Sequence, residues 1–239
     1  MKLVRLILCI SALTCLPPAS ATEQRVTLGS VLFPPNTQFD EATGECIGEN
    51  IDVTRAILAS YEVQLDVVCA LPIRMYRMIQ NSEVDFTVNI KTTRALKPYV
   101  EFIDPPYDQL VLNLYKYSSS SQTKTISAIR GFDYNGYRQK YMDQNYEFID
   151  LPTAVSAIQV FLKQRSDALI SYQSNVVYLQ RNNAMVFPKE VIITPLIKVD
   201  THYAIARGSP HFDLLWGVFN DYASKNNLTY FSASSLVDK

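Results

Sequence analysis

The sequence predicts an α/β protein built from two similar units with a cleft between them. Segments with strand-like and helix-like patterns alternate along residues 25–117, which is typical of a largely parallel sheet covered by helices. A polar stretch follows at residues 118–123, which read SSSSQT, and it is the best domain boundary in the chain. After this stretch the alternation starts again and ends in a C-terminal helix. Clefts between such units, at the C-terminal ends of strands, are the usual ligand sites of α/β proteins.

The elements of the first unit follow from hydrophobic periodicity. Residues 63–69 begin with strictly alternating apolar and polar side chains, which indicates a strand. Val53, Ile57 and Tyr61 follow one another at helical spacing and indicate a helix. Asn50, just before them, is suited to the N-cap. The predicted strands are 25–32, 63–69, 84–89 and 110–117, and the predicted helices are 51–61 and 74–81.

The elements of the second unit are predicted in the same way. Ala154, Ile158 and Phe161 fall on one face of the segment 153–165, which indicates a helix. Ser209-Pro210 has the form of an N-cap followed by a first helical residue, so the C-terminal helix is expected to begin there and run to residue 226. The other predicted elements are strands at 125–130, 146–149, 168–171, 191–194 and 202–206 and helices at 135–143 and 174–181.

Composition excludes several classes of protein. The chain has 239 residues, a net charge of −1, 48% hydrophobic and 19% charged residues, which excludes a disordered chain and a strongly basic nucleic-acid binder. With seven glycines and no Gly-x-Gly-x-x-Gly, Walker, Gly-x-Ser-x-Gly or His-Glu-x-x-His motif, the common phosphate-binding and hydrolase sites are missing. His202 and His211 show no metal-ligand spacing with the cysteines. We expect no cofactor, no metal and a monomer.

Residues 1–21 have the pattern of a secretory signal peptide. Lys2 and Arg5 give a positive start, an apolar run follows, and Ala19-Ser20-Ala21 has the small residues that signal peptidase requires. The apolar run is too short to cross a bilayer, which takes roughly 20 residues. Acylation of Cys15, as in a lipoprotein, stays open as an alternative. We therefore expect cleavage after Ala21 and export to the periplasm.

Two cysteines would remain after cleavage, Cys46 and Cys69. An isolated pair in an oxidising compartment predicts a disulfide, although two buried thiols are the alternative.

Several short motifs occur in a definite order along the chain. Phe33-Pro34-Pro35 follows the first strand, Gly48-x-x-Ile-Asp-Val opens the first helix, and residues 100–107 read VEFIDPPY. Residues 166–170 (SDALI) and 202–210 continue the series in the second unit. Taken in order, these motifs resemble the periplasmic solute-binding proteins of family 3, the polar amino-acid-binding type that serves ABC transporters.

The resemblance implies a bilobed type II periplasmic-binding-protein fold, in which two α/β lobes joined by two hinge strands close on a ligand like a Venus flytrap. Lobe 1 would comprise residues 22–115 and 205–239, and lobe 2 residues 116–204. The hinge strands would be 110–117 and 202–206. It implies a non-enzymatic role, with a small-molecule ligand and either an ABC permease or a membrane sensor as partner. A periplasmic dehydratase-like enzyme on the same fold is a further alternative. Such an enzyme needs an acidic residue in the cleft, and the only candidates for it are Glu49 and Asp150.

The expected ligand site departs from the family pattern at both charged positions. The family's carboxylate-binding Arg falls on Leu96, with Arg94 two residues earlier, and its ammonium-binding Asp falls on Tyr172. A buried ammonium without a counter-charge is costly, so we expect a ligand other than a standard zwitterionic amino acid. Arg94 either faces the cleft or lies on the surface. The residues predicted to bind the ligand are Phe33, Asn89, Thr92, Arg94, Gly131 and Tyr172.

Overall fold

The computed structural model describes residues 24–118, 124–182 and 186–232. The predicted signal peptide and residues 119–123 of the predicted boundary lie outside the described residues. The strands are β1 (Gln24–Val31), β2 (Gln38–Asp40), β3 (Glu45–Ile47), β4 (Val63–Ala70), β5 (Phe86–Ile90), β6 (Val100–Phe102), β7 (Asp108–Tyr117), β8 (Thr125–Ile129), β9 (Glu147–Leu151), β10 (Ala168–Tyr172) and β11 (Val191–Ala206). The helices are α1 (Glu49–Ala59), α2 (Pro72–Gln80), α3 (Tyr137–Met142), α4 (Ala154–Leu162), α5 (Gln173–Arg181) and α6 (Phe212–Lys225).

One sheet of nine strands runs through the molecule in the order β4-β1-β5-β11-β7-β10-β8-β9, with β6 added beside β11. In the first unit β1 is parallel to both β4 and β5, and in the second unit β8 is parallel to both β9 and β10. The long strands β7 and β11 are antiparallel to each other. They pair with β10 and with β5, respectively, and so join the two parallel sets.

Each unit has its own apolar core. In the first unit α1 and α6 cover one face of the sheet, where Tyr203 of β11 stacks on Phe219 with ring centroids 4.0 Å apart. On the other face α2 packs Met75 against Val100 and Leu96. In the second unit, α4 buries Ile158 and Phe161 as its periodicity predicted. The cleft lies where the two units meet, and Phe33 of the first unit packs there against the core of the second.

The predicted disulfide is confirmed: Cys46 of β3 is bonded to Cys69 of β4, with Cα atoms 6.1 Å apart. The bond ties the β2–β3 hairpin, which the sequence did not predict, to the edge of the main sheet. The hairpin belongs to the segment that carries Phe33, so the disulfide constrains one side of the cleft.

Three of the differences from the predicted elements concern particular residues. The strands predicted at 191–194 and 202–206 are one continuous strand, β11, because Pro195 sits at a register shift between residues 195 and 197 instead of ending the strand. The prediction of Ser209 as N-cap of α6 is wrong: α6 begins at Phe212, and the Ser209 hydroxyl donates to Asp85 Oδ1 (2.6 Å). Asn50 is not the N-cap of α1 either, because that helix begins at Glu49 after Gly48.

In the described part of the chain, the longest helix has 14 residues, and no helix has the length and apolar character needed to cross a membrane.

Candidate functional site

A cavity lies where the C-terminal ends of the two parallel strand sets face each other. From the first unit, the ends of β1 and β5 contribute Ser30, Val31 and residues 88–90. From the second unit, residues 132–134 after β8 and Tyr172 at the end of β10 contribute. The free volume is about 80 Å³. Pockets for drug-sized ligands measure about 300–1,000 Å³, so this one favours a compact solute.

Phe33 is held rigidly at the edge of the cavity. Its backbone exchanges two hydrogen bonds with Thr37, 2.9 and 3.0 Å long, and these close a tight turn after β1. The Thr37 hydroxyl in turn lies 2.6 Å from that of Ser30 inside the protein. The ring of Phe33 therefore reaches across the cleft from a fixed backbone.

Four aromatic rings form a continuous surface on one side of the cavity, which we call the aromatic wall: Phe33, Phe132, Tyr134 and Tyr172. Phe33 meets Tyr172 edge to face at 5.5 Å and Phe132 at 6.3 Å. Tyr134 lies 6.0 Å from Tyr172 and 5.7 Å from Phe132. Burial raises the pKa of Tyr172 and of Tyr134, so both are neutral phenols at any physiological pH.

The first unit also contributes hydrogen-bonding groups to the lining of the cavity. Asn89 Oδ1 accepts a hydrogen bond from the Thr93 hydroxyl (2.7 Å). The Tyr76 hydroxyl is hydrogen-bonded to the same Asn89 side chain. Burial and the nearby Asp133 carboxylate raise the pKa of Tyr76, which is therefore an uncharged phenol. Asn50 also lines the cavity, and its buried Oδ1 has no hydrogen-bond partner in the described chain.

Asp133 is the single charged residue among the described residues that line the cavity. It is half-buried, its Oδ1 accepts the backbone N–H of Asn135 (3.1 Å), and it takes part in none of the ion pairs formed by the described residues. The loop that carries it is fixed by Arg138, whose guanidinium donates to the carbonyls of Phe132 (2.7 Å) and Ile129 (3.1 Å) and to Asp150 (2.8 Å). The cavity therefore has a negative charge held on a well-supported loop.

The two units touch each other around the cavity. The Thr92 hydroxyl donates to Asn135 Oδ1 (2.6 Å), and the Tyr178 hydroxyl donates to Gln38 Oε1. Asn175 Nδ2 donates to the carbonyl of Pro34. Gly131, at φ +85°, lies so close to Ile73 that an added Cβ would stand 2.9 Å from Ile73 Cγ1. These contacts hold the cleft closed in this structure.

The structure brings together part of the predicted site. Phe33, Asn89 and Tyr172 line the cavity, while Thr92 and Gly131 lie at the contact between the units. Arg94 is exposed and is outside the cavity lining, and Leu96, at the family's arginine position, is fully buried in the core. That these residues bind a ligand stays a prediction.

Three polar residues that line the cavity were not predicted from the sequence: Asp133, Tyr76 and Asn50. The two acids that the sequence suggested for the cleft, Glu49 and Asp150, do not line the cavity, and Asp150 is paired with Arg138. The available signal for Asp133 was its position three residues after the predicted end of a parallel strand, where ligand contacts concentrate.

No protein-family model and no curated protein matches this chain. Solved structures do match it. An ancestral arginine-binding protein bound to arginine has a TM-score of 0.67 at 19% identity, over 86% of this chain and 94% of that one. The GluR0 ligand-binding core from Nostoc punctiforme, in complex with L-glutamate, gives 0.64 at 14% identity over 86% and 95%.

A histidine kinase sensor domain with similarity to periplasmic binding proteins gives a TM-score of 0.69 at 15% identity, over 86% of this chain and 92% of that one. At such identities these likenesses concern the fold. They agree with the observed topology, and the chain has the mixed α/β, bilobed type II periplasmic-binding-protein fold that the sequence predicted.

Proposed function

We propose that this protein is an exported solute-binding protein, related to family 3, that captures a small polar or aromatic ligand in its cleft and delivers it to an ABC-type transporter. The observation that carries the proposal is the cavity between the two units, lined from both and closed by contacts across it. A ligand held this way favours the closed arrangement, which is how a binding protein signals occupancy to a membrane partner. Export rests on the leader pattern of residues 1–21.

We further propose that standard zwitterionic amino acids are not the ligand. Their carboxylate needs a cation or a set of donors, and no arginine or lysine is among the described residues that line the cavity. Lys91 is paired with Asp104 (2.7 Å), and Arg138 is engaged with its own loop. A carboxylate in this cavity would also meet the charge of Asp133.

A thermal-shift screen of amines, amino acids, sugars, organic acids and aromatic solutes tests the proposal on residues 22–239. A ligand at a hundred times its dissociation constant stabilises the fold by roughly 2.7 kcal/mol. We expect stabilisation by one solute class, abolished in Phe33→Ala and kept in Phe39→Ala, a control on the exposed hairpin. Stabilisation by no class, or equal stabilisation of Phe33→Ala, would contradict ligand binding in this cleft. Strong stabilisation by standard amino acids would contradict the exclusion of zwitterions.

A sensory or accessory role without transport is the second candidate, and the likeness to a histidine kinase sensor domain favours it. Deletion of the gene distinguishes the two roles. For a transport protein, deletion of the gene abolishes uptake of the bound solute, whereas for a sensor uptake continues and the transcriptional response to the solute disappears.

A further inference from the structure

We infer that the cleft takes a compact organic cation, an ammonium compound without a carboxylate, held between the Asp133 carboxylate and the aromatic wall. The inference rests on the proposed function, because it names the ligand class of the same cavity. Neither the family resemblance nor the solved structures supply it: the sequence places Leu96 and Tyr172 where that family has its charged ligand contacts.

The first step is the charge of the cavity. Asp133 is half-buried, has no ion-pair partner among the described residues, and is the only charged residue seen in the lining. A carboxylate partly removed from water without a cation nearby is unfavourable, and a cationic ligand relieves that cost by supplying the partner. An anionic ligand would increase this unfavourable energy, because it adds a second negative charge beside Asp133.

The second step is the aromatic wall beside that carboxylate. Phe132 and Tyr134 flank Asp133 in the chain and both line the cavity, with Phe33 and Tyr172 next to them. Aromatic faces attract cations, and clusters of rings are the usual recognition surface for alkylated ammonium groups, whose carbon atoms are poorly hydrated. A neutral apolar solute would use the rings but would leave the carboxylate unpaired.

The neighbouring basic side chains of the protein have other partners and do not neutralise Asp133. Arg138, five residues along the chain, is directed to Asp150 and two loop carbonyls, and Lys91 is directed to Asp104. Arg94 is exposed and outside the cavity lining. The negative charge of the cavity is therefore available to a ligand.

Isothermal titration of residues 22–239 with three probes tests the inference. The probes are choline, its uncharged carbon analogue in which a quaternary carbon replaces the nitrogen, and L-arginine, which adds a carboxylate to a cation. We expect choline to bind at least about tenfold more tightly than the neutral analogue, since charge-assisted and cation–π contacts depend on the charge. L-Arginine should bind more weakly than choline because its carboxylate has no partner.

Matched variants assign the effect to the named groups. Asp133→Asn should weaken choline binding about tenfold or more and leave the neutral analogue unchanged, while Asp143→Asn, an exposed acid of the same unit, should change neither. Tyr172→Phe keeps the ring and should keep the affinity, whereas Tyr172→Leu should lose it. The midpoint of urea unfolding, measured for each variant, identifies any loss that comes from misfolding.

The outcomes separate the inference from the proposed function. Equal binding of choline and its neutral analogue, or equal loss in Asp133→Asn and Asp143→Asn, overturns the inference. Binding of a sugar or an organic acid in the thermal-shift screen, with no binding of choline, overturns the inference and leaves the proposed function standing. Binding of a standard amino acid overturns both the inference and the exclusion of zwitterions. No stabilisation by any solute class contradicts both.

Discussion

The two sides of the cleft are held in place by different means. On the first unit, the segment that carries Phe33 runs into a hairpin that a disulfide fastens to β4. On the second unit, the loop that carries Phe132 and Asp133 is held by hydrogen bonds alone: those of Arg138 to the carbonyls of Phe132 and Ile129, and that of the Ile129 N–H to the Tyr134 hydroxyl (2.6 Å), among others. Thus one side is anchored covalently and the other by a set of hydrogen bonds to which Arg138 contributes.

The comparison also shows which strand end carries the charge of the cavity. The family pattern would place an acid at the end of β10, and this chain has Tyr172 there. The neighbouring parallel strand, β8, is followed instead by Asp133. The C-terminal ends of adjacent parallel strands open on the same cleft, so an acid after β8 and a residue at the end of β10 can line one cavity.

The largest effect should come from the covalent anchor. Replacing both Cys46 and Cys69 by Ser removes a cross-link between residues separated by 23 positions, which should lower the free energy of unfolding by about 3 kcal/mol. Urea unfolding of the wild type with and without reductant, compared with the double variant, measures this loss. A reductant effect that persists in the double variant would contradict the assignment.

On the second side of the cleft, substitution of Arg138 should lower both the stability of the fold and the affinity for the ligand. Arg138→Met keeps an unbranched apolar side chain but removes the guanidinium, which lies over the Phe148 ring and donates to two carbonyls and Asp150. We expect a loss of about 2 kcal/mol of stability and weaker ligand binding, since the loop of Asp133 is released. Reductant should leave the Arg138 effect unchanged. Undiminished ligand affinity in Arg138→Met would show that the loop does not need this anchor.

A pair of glycines separates backbone strain from contact between the units. Gly131 and Gly136 both have φ +85°, but a Cβ on Gly131 would press against Ile73, whereas a Cβ on Gly136 has no atom within 4 Å. Both Ala substitutions carry the left-handed cost, and Gly131→Ala should cost about 1 kcal/mol more and favour the open cleft. Small-angle X-ray scattering should show a larger radius of gyration for Gly131→Ala alone. Equal behaviour of both variants would contradict closure through this contact.

The smallest effect concerns pH and the first unit. Burial lowers the pKa of His202, whose Nδ1–H donates to the carbonyl of Ile103 (2.9 Å). The unfolded chain then binds the proton more readily than the folded one, so stability is full above about pH 6.5 and falls as the pH drops below that value. In urea unfolding at pH 7.5 and 5, His202→Gln should lose less stability on acidification than the wild type. An equal loss in both would exclude His202 as the cause.

The fold could be predicted from the sequence because its elements obey local rules. The alternation at Val63, Leu65 and Val67 and the spacing of Ala154, Ile158 and Phe161 give the correct strand and helix, since one face of each must be buried. The sequence predicts two strands where the structure has β11 alone, because the register shift that accommodates Pro195 within one strand depends on the pairing with β7.

The site was only partly predictable because it depends on contacts between distant segments. Phe33 and Tyr172 stand at strand ends and could be proposed from position alone. Tyr76 belongs to a helix whose buried face reads as ordinary core, and its approach to Asp133 joins residues 57 positions apart in the chain. Arg94 illustrates the converse, since it stands near a motif in the sequence but its side chain is exposed and lies outside the cavity lining.

The most direct test of a cation-binding cleft is native mass spectrometry of the folded protein purified without denaturation, followed by release and identification of the bound solute. We predict an ammonium compound without a carboxylate, retained by Asp143→Asn and lost from Asp133→Asn. An amino acid or another carboxylate retained equally by both variants would contradict it.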